Sequence, residues 1–588
     1  LLGSYDVIVV GLGHAGCEAA LAASRLGLNV LGLTLDFDSI ARMSCNPSIG
    51  GPGKSQLVRE LDALGGEMGS AADECFIHAR MLNSAKGPAV RAVRAQIDKD
   101  LYSRRMAAAL RGQEGLDIAE AELEGLEIRS GKVTGAVVSG EKVACRALVL
   151  ASGTYLGGTV YIGEEVHREG PEGFPASKLT PSLRDAGIKL MRFKTGTSPR
   201  VDASTIDYGK MELQPGEDLL YCFSNIKKPA LRKQEDCWIT YTNVASHKIV
   251  EDNIERAPIF SGLIKGIGPR YCPSIEAKVV RFKGKQRHQL FVEPITRGGA
   301  EMYLAGLATS LPKDVQEGIL RTVPGLEKAR ITKYGYAIEY DCIEPSQLDH
   351  RLEFRNIEGF FSAGQANGSS GYEEAAVQGL VAGANAALSI KGEPPLVVGR
   401  DQAYIGVLID DLVMKGTDEP YRMLTARAEY RLALRQENAD FRLTREAIRT
   451  GLAGDGRIRA FERKVRMKDL LASGMENEAK ELSASFDEGA WLLECARENL
   501  AMDRAYGGYI EKERRMAASF RKMEEKRIPA DADYSRMYRL STEAKDKLSE
   551  RRPASIGEAS RIPGMSPSDI AALIIHLRQE GKPDGDDI

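Results

Sequence analysis

The chain lacks any apolar run approaching the roughly 18 residues that a membrane span needs. It shows neither a signal peptide nor an Arg-rich transit segment. It opens on Leu1-Leu2-Gly3-Ser4 without a methionine, so targeting stays open. It has no excess of charge: 80 Lys plus Arg stand against 83 Asp plus Glu, for a net charge of −3. Coating nucleic acid by charge alone is therefore excluded, while a local basic patch is not. The nine cysteines form no CxxC pair and no secretory framework. They read as reduced thiols of a cytosol-like compartment. No His, Cys and Asp cluster has metal-ligand spacing, so no metal is expected. No Ser-His-Asp arrangement can be argued, and no repeat or low-complexity tract appears. With 588 residues, 43% of them hydrophobic, the chain can build more than one core.

What is present begins with a nucleotide-binding opening. Residues 5–10 (YDVIVV) read as a buried parallel strand. Gly11, Leu12, Gly13, His14, Ala15 and Gly16 turn it into an Ala- and Leu-rich helix over 17–26, stopped at Gly27, and 29–35 form a second strand. Gly11, Gly13 and Gly16 allow a tight turn, backbone approach to a pyrophosphate and close helix–strand packing. A lone GxGxxG is weak; its strand–turn–helix setting is what gives it weight. Thr34 stands where an acidic residue usually holds the ribose, with Asp36 two residues on. Strand 147–151 runs into Ser152-Gly153-Thr154, and 360–362 into Ala363-Gly364-Gln365. Both predict strand ends at the same ligand edge. Contributions from such distant segments favour FAD over NAD as the tightly held cofactor.

Residues 56–64 predict a helix, and 90–110 a long one. The dinucleotide domain is expected over 1–201 and 345–395, interrupted by an insertion rich in β-branched residues over 202–344. A charged helical domain over 396–540 and a helical region over 541–588 follow, with linkers near 454–456 and 529–531.

Two cysteines have settings suited to chemistry. Cys45 sits in the glycine-rich loop 44–54 (SCNPSIGGPGK), near the reactive end of the dinucleotide. Cys272 lies in 269–273 (PRYCP), beside Arg270, which can lower its pKa. The remaining cysteines read as small buried hydrophobes, Cys17 among them. His14 reads as structural. Arg427, Arg431 and Arg435, four residues apart, predict one face of a helix, flanked by Arg422 and Arg442. Such a face binds phosphates, with Tyr430 free to stack a base; a helix laced with salt bridges is the alternative.

Many segments, in order along nearly the whole chain, resemble the MnmG (GidA) family, the large flavoprotein subunit of a tRNA wobble-uridine modification enzyme. They include 11–16 (GLGHAG), 43–51 (MSCNPSIGG), 82–92 (LNSAKGPAVRA), 194–200 (KTGTSPR) and 268–279 (GPRYCPSIEAKV). Further on come 336–341 (YAIEYD), 363–376 (AGQANGSSGYEEAA), 421–435 (YRMLTARAEYRLALR), 438–444 (NADFRLT) and 561–577 (RIPGMSPSDIAALIIHL). Pro52, Ser55, Ala85, Ser198 and Ala426 depart from the family pattern without removing a group assigned to chemistry.

The resemblance implies an α/β fold: a Rossmann-type FAD-binding domain of the glutathione-reductase kind, an α/β insertion domain and a helical C-terminal domain. It implies FAD cradled by residues 11–16 and touched by Leu123, Ser177 and Gln365. It places NADH on Gly268, Pro269, Arg270, Tyr271, Pro273, Ser274, Lys278 and Phe282, and part of the tRNA surface on the C-terminal helical region; Arg422, Arg427, Arg431 and Arg435 are the tRNA-facing candidates that their spacing gives. Methylene-tetrahydrofolate would give the one-carbon unit, and Lys54 or Lys86 would meet a phosphate or the folate tail, or only solvent. The product is an aminomethyl or carboxymethylaminomethyl group on C5 of the wobble uridine. The implied assembly is a cytoplasmic homodimer that docks an MnmE-type GTPase on its C-terminal helices as a heterotetramer. Uridine C5 is a poor nucleophile; a thiolate added to C6, from Cys45 or Cys272, activates it. Competing readings are a TrmFO-type folate- and flavin-dependent tRNA methyltransferase, which is much shorter, a small-molecule FAD oxidoreductase, and a non-catalytic tRNA-binding module.

Overall fold

The computed structural model describes residues 3–177, 179–229, 233–271 and 273–580. In chain order the first elements are β1 (Ser4–Val10), α1 (His14–Arg25), β2 (Val30–Thr34), β3 (Ser48–Gly50), α2 (Lys54–Ala63) and α3 (Met68–Cys75). There follow β4 (Phe76–Leu82), β5 (Ala92–Ile97), α4 (Lys99–Arg111), β6 (Leu116–Glu120), β7 (Leu123–Arg129), β8 (Lys132–Val138) and β9 (Glu141–Leu150).

Val7, Ile8 and Val9 are fully buried, as a central strand covered on both faces requires. The parallel strands lie in the order β6, β2, β1, β9, and Phe360–Ser362 pairs β9 in parallel. β7 and β8 form an antiparallel hairpin against the start of β9. The C-terminal ends of β1, β2, β9 and Phe360–Ser362 therefore share one edge, as the glycines after these strands predict. Behind that edge α1 packs on the helix Tyr372–Lys391 at backbone contact. A Cβ on Gly379 would meet the Ala15 carbonyl oxygen at 2.0 Å, and one on Gly383 the Ala19 oxygen at 2.2 Å.

The long helix expected over 90–110 is instead a strand followed by a helix. β5 is sandwiched between β3 and β4 in a small antiparallel sheet. Asp98 then starts α4, its carboxylate accepting from the Leu101 amide at 2.9 Å.

A six-stranded antiparallel sheet runs Glu212–Gln214, Cys237–Tyr241, Gln289–Pro294, Glu301–Ala305, Arg200–Asp202, Ile331–Lys333. It has its own apolar core around Val201, Leu290, Val292 and Leu304. After Ala439 the described chain is helical, including the 36-residue helix Gly489–Glu524. Gly454 caps the helix Asp455–Ala472, and 529–531 lie between helices. No helix among the described residues is long and apolar enough to cross a membrane. Among these residues no three His, Cys, Asp or Glu side chains gather as metal ligands.

Candidate active site

The shared strand edge opens into a cleft of about 430 Å³. Gly11, Leu12, Gly13, His14 and Ala15 line it, and so do Leu123, Ser177 and Gln365. The last two glycines of the motif, Gly13 and Gly16, have different work. A Cβ on Gly16 would fall 1.7 Å from the Gly11 carbonyl oxygen, so Gly16 serves packing. The Cβ position of Gly13 has nothing within 4 Å, so its bare backbone faces the open cleft. Gly13 caps α1 without a side-chain hydrogen bond, and the first turn holds no acidic residue. The helix N-terminus thus offers its amides to an anion from the cleft. His14 Nε2, Asn46 Oδ1 and Ser152 Oγ are buried along the cleft without a hydrogen-bond partner. Such orphans are rare in folded proteins, and a polar ligand in the cleft satisfies them. A dinucleotide fits these residues on all three counts.

His14 is stacked on the Tyr372 ring, with centroids 4.3 Å apart, and on Tyr102 at 5.8 Å. Burial pushes its imidazole down to about 4, against a weaker pull from Glu373. It is neutral at pH 7, a structural residue that also meets the ligand space.

Cys45 lines the same cleft and is half-buried; the other described cysteines are buried. Its amide donates to the Tyr372 hydroxyl at 2.9 Å, and Arg200 donates to the Ser44 carbonyl at 3.2 Å. Its Sγ lies 3.6 Å from the Gly196 carbonyl and 3.5 Å from the Tyr303 hydroxyl. Cys17 donates to the Leu12 carbonyl from inside the core, as packing predicts.

Lys54 lines the cleft but does not wait for a phosphate or a folate tail. Its Nζ is bonded to Glu373 at 2.8 Å and Glu374 at 3.0 Å. Burial alone favours the neutral forms; the attraction between Lys54 and Glu373 outweighs it, holding the amine up and the Glu373 carboxyl down. Lys86 is exposed on a short 3₁₀ turn.

Cys272 lies outside the described residues. Among its described neighbours over 268–282, none lines the cleft. Gly268 abuts the Lys194 side chain, Pro269 is buried and Arg270 pairs with Glu419 at 3.3 Å. Pro273 is half-buried, and Ser274 precedes the helix Ile275–Arg281 with its Oγ buried and unpartnered. Lys278 donates to the Gly306 carbonyl at 2.6 Å, while Tyr271 and Phe282 are exposed.

The arginine stripe is not a helix face. Residues 428–435 form irregular backbone between two 3₁₀ turns. The loop is fastened by Glu513, which accepts from the Ala433 amide at 2.9 Å. Arg435 is fully buried, held by Glu437, by Asp503 at 2.8 Å and by the Leu432 carbonyl at 2.7 Å. Arg427 lies 4.1 Å from the Tyr421 ring centroid and donates to the Arg422 carbonyl. Arg442 pairs with buried Glu60 at 2.8 Å. Tyr430 is buried and cannot stack a base. Arg422 lines the cleft, and Arg431 is the exposed one of the four. Spacing alone cannot tell a helix from a loop whose arginines fold inward on distant carboxylates.

The sequence reading missed Tyr303 and Tyr372, both hydrogen-bonded to Cys45. Tyr372 sits in the quoted segment 363–376; Tyr303 had no motif to mark it.

Fold and site together define a class: a dinucleotide-binding α/β protein with a thiol on the wall of the cofactor cleft. A family model described as glucose inhibited division protein A matches residues 6–394. A second, described as the tRNA modifying enzyme MnmG/GidA C-terminal helical bundle, matches 516–586. The chain is 49% identical to the tRNA uridine 5-carboxymethylaminomethyl modification enzyme MnmG of Caldicellulosiruptor saccharolyticus, over 99% of this chain and 99% of that one. It is 48% identical to the MnmG of Heliobacterium modesticaldum, over 98% and 97%. The solved structure of Aquifex aeolicus GidA in its form II crystal matches at a TM-score of 0.90 with 39% identity, covering 98% of this chain and 99% of that one. The chain belongs to the MnmG/GidA family.

Proposed function

We propose that the chain is a FAD-dependent enzyme that modifies C5 of the wobble uridine of tRNA, with Cys45 as the thiol that acts on the base. Family membership supports the substrate. The observation that carries the chemistry is Cys45, a half-buried thiol on a cleft whose residues fit a dinucleotide. Residues 11–15, Leu123, Ser177 and Gln365 would hold FAD, with its pyrophosphate at the α1 N-terminus. Bound FAD supplies the redox chemistry of the reaction. The protein's own part is nucleophilic. The Cys45 thiolate adds to C6 of the uracil, and the C5 enolate so formed would attack the electrophilic methylene carbon as its bond to the donor's nitrogen breaks; a base then removes the C5 proton and the thiolate leaves as the C5–C6 double bond re-forms.

In this reading NADH is the reductant, on 268–282, and methylene-tetrahydrofolate the one-carbon donor. The domains divide near 201, 344, 395 and 540, and the last helices dock an MnmE-type GTPase on a cytoplasmic homodimer. These assignments rest on the family resemblance.

Mass spectrometry of wobble nucleosides tests the proposal, after tRNA is incubated with the protein, its GTPase partner, methylene-tetrahydrofolate, FAD and NADH. A C5-substituted uridine is expected from the wild type and none from Cys45→Ser, with FAD still bound. Cys272→Ser examines the second thiol in the same assay. Unaltered tRNA from the wild-type reaction overturns the reading.

A further inference from the structure

Cys45 has a partner behind the cleft wall. Tyr303 sits in the strand Glu301–Ala305, is 3% exposed, and does not line the cleft. Its hydroxyl lies 3.5 Å from Cys45 Sγ and 3.3 Å from Thr197 Oγ1, and accepts from the Ser198 amide at 3.2 Å. A phenol has one proton to give and two lone pairs to fill. The Ser198 amide fills one and the Thr197 hydroxyl can fill the other. That arrangement directs the phenol's proton at the sulfur. On its other side the thiol donates to the Gly196 carbonyl at 3.6 Å. Ionisation of Cys45 breaks that second contact. It also turns the phenol's contact into a charge-assisted one, roughly twice as strong as its neutral form. Burial, and then the neighbouring Cys45 charge, hold the phenol's own pKa far above its ordinary value, so it remains a donor.

On the reading of Cys45 as the attacking thiol, we propose that Tyr303 is a positioning residue. Its O–H···S hydrogen bond holds Cys45 Sγ at the cleft wall and stabilises the thiolate, and Thr197 and Ser198 orient the phenol. The thiol proton leaves to water in the cleft, and Tyr303 keeps its own. The phenol never touches the substrate.

The test is the pH profile of Cys45 alkylation by iodoacetamide, resolved by peptide mass spectrometry, in full-length wild type and Tyr303→Phe. The variant keeps the ring and loses the donor. Its alkylation midpoint should rise by about one pH unit, which lowers the thiolate fraction on the acid side of the midpoint about tenfold. Thr197→Val should move the profile the same way, by about threefold in rate, and stands in if Tyr303→Phe fails to fold. An unchanged midpoint in the folded variant overturns the proposal. The readout needs neither tRNA nor folate. A Cys45→Ser enzyme that still modifies tRNA would sink the functional reading instead, without moving this profile.

Discussion

At His14, burial and ring stacking decide the charge. The folded pKa is about 4, below the ordinary histidine value of 6.5. Between those values the unfolded chain binds more protons than the folded one, so stability falls as pH drops through this window. From pH 7 to pH 5 the loss is about 2 kcal/mol. Glu18 works in the opposite sense. Burial lifts its carboxyl to about 7, despite hydrogen bonds from the Glu67 and Met68 amides. Its contribution is present below the unfolded carboxyl value and is lost as pH rises through 7. His14→Phe keeps a stacking ring and removes only the first effect. In urea unfolding at pH 7 and pH 5, the variant should lose about 2 kcal/mol less than the wild type; parallel losses would mean that His14 ionises freely in the fold. At this scale Cys45 was legible because glycines and a preceding βα unit surround it in sequence. Tyr303 was not, because the contact spans 258 residues.

Elements were legible where local pattern and tertiary context agree. β1, α1 and β2 carry strand, glycine turn and Ala-rich helix in 31 residues of continuous sequence, from Ser4 to Thr34. Over 90–110 local composition was misleading. The strand β5 exists because β3 and β4 flank it, which no window shows, while Asp98 starts α4. Asp98→Ala should cost about 1–2 kcal/mol in denaturant unfolding; a cost near zero would show that the cap is idle. The arginine loop separates binding from structure. Arg435→Ala leaves the Glu437 carboxylate buried beside it and should cost about 3–5 kcal/mol. Arg431→Ala, at an exposed position, should stay within about 0.5 kcal/mol. Equal costs would contradict the irregular loop and restore the single helix face.

Across the whole molecule, a buried ionic hub ties the C-terminal helices to the dinucleotide-binding part. Asp410 receives His350 at 3.1 Å, Arg400 at 3.0 Å and Arg561 at 2.8 Å, and Arg561 also reaches Glu524 on the 36-residue helix. Burial would raise the Asp410 carboxyl; the hydrogen bond from His350 and the Arg561 and Arg400 guanidinium charges outweigh it and hold it well below the carboxylate range. Asp410→Ala leaves those cations short of a partner. Limited trypsin digestion near Lys526 should then run at least tenfold faster, about 1.4 kcal/mol of local opening; an unchanged rate would show that the hub does not hold the bundle. The sequence announced an α/β body with a helical C-terminus through composition and motif order. It could not announce this hub, whose members lie far apart in the chain.

The account's central claim is that the cleft at the strand edge is a FAD site with the α1 N-terminus at its phosphates. Gly13 tests it most directly, because its Cβ position is open and a side chain there invades only the cleft. FAD titration of Gly13→Val and wild type, with melting curves for both, is the measurement. The account predicts one FAD per wild-type chain and at least a hundredfold weaker binding in the variant, with melting of the flavin-free proteins unchanged. Equal FAD affinity in the two proteins would contradict it.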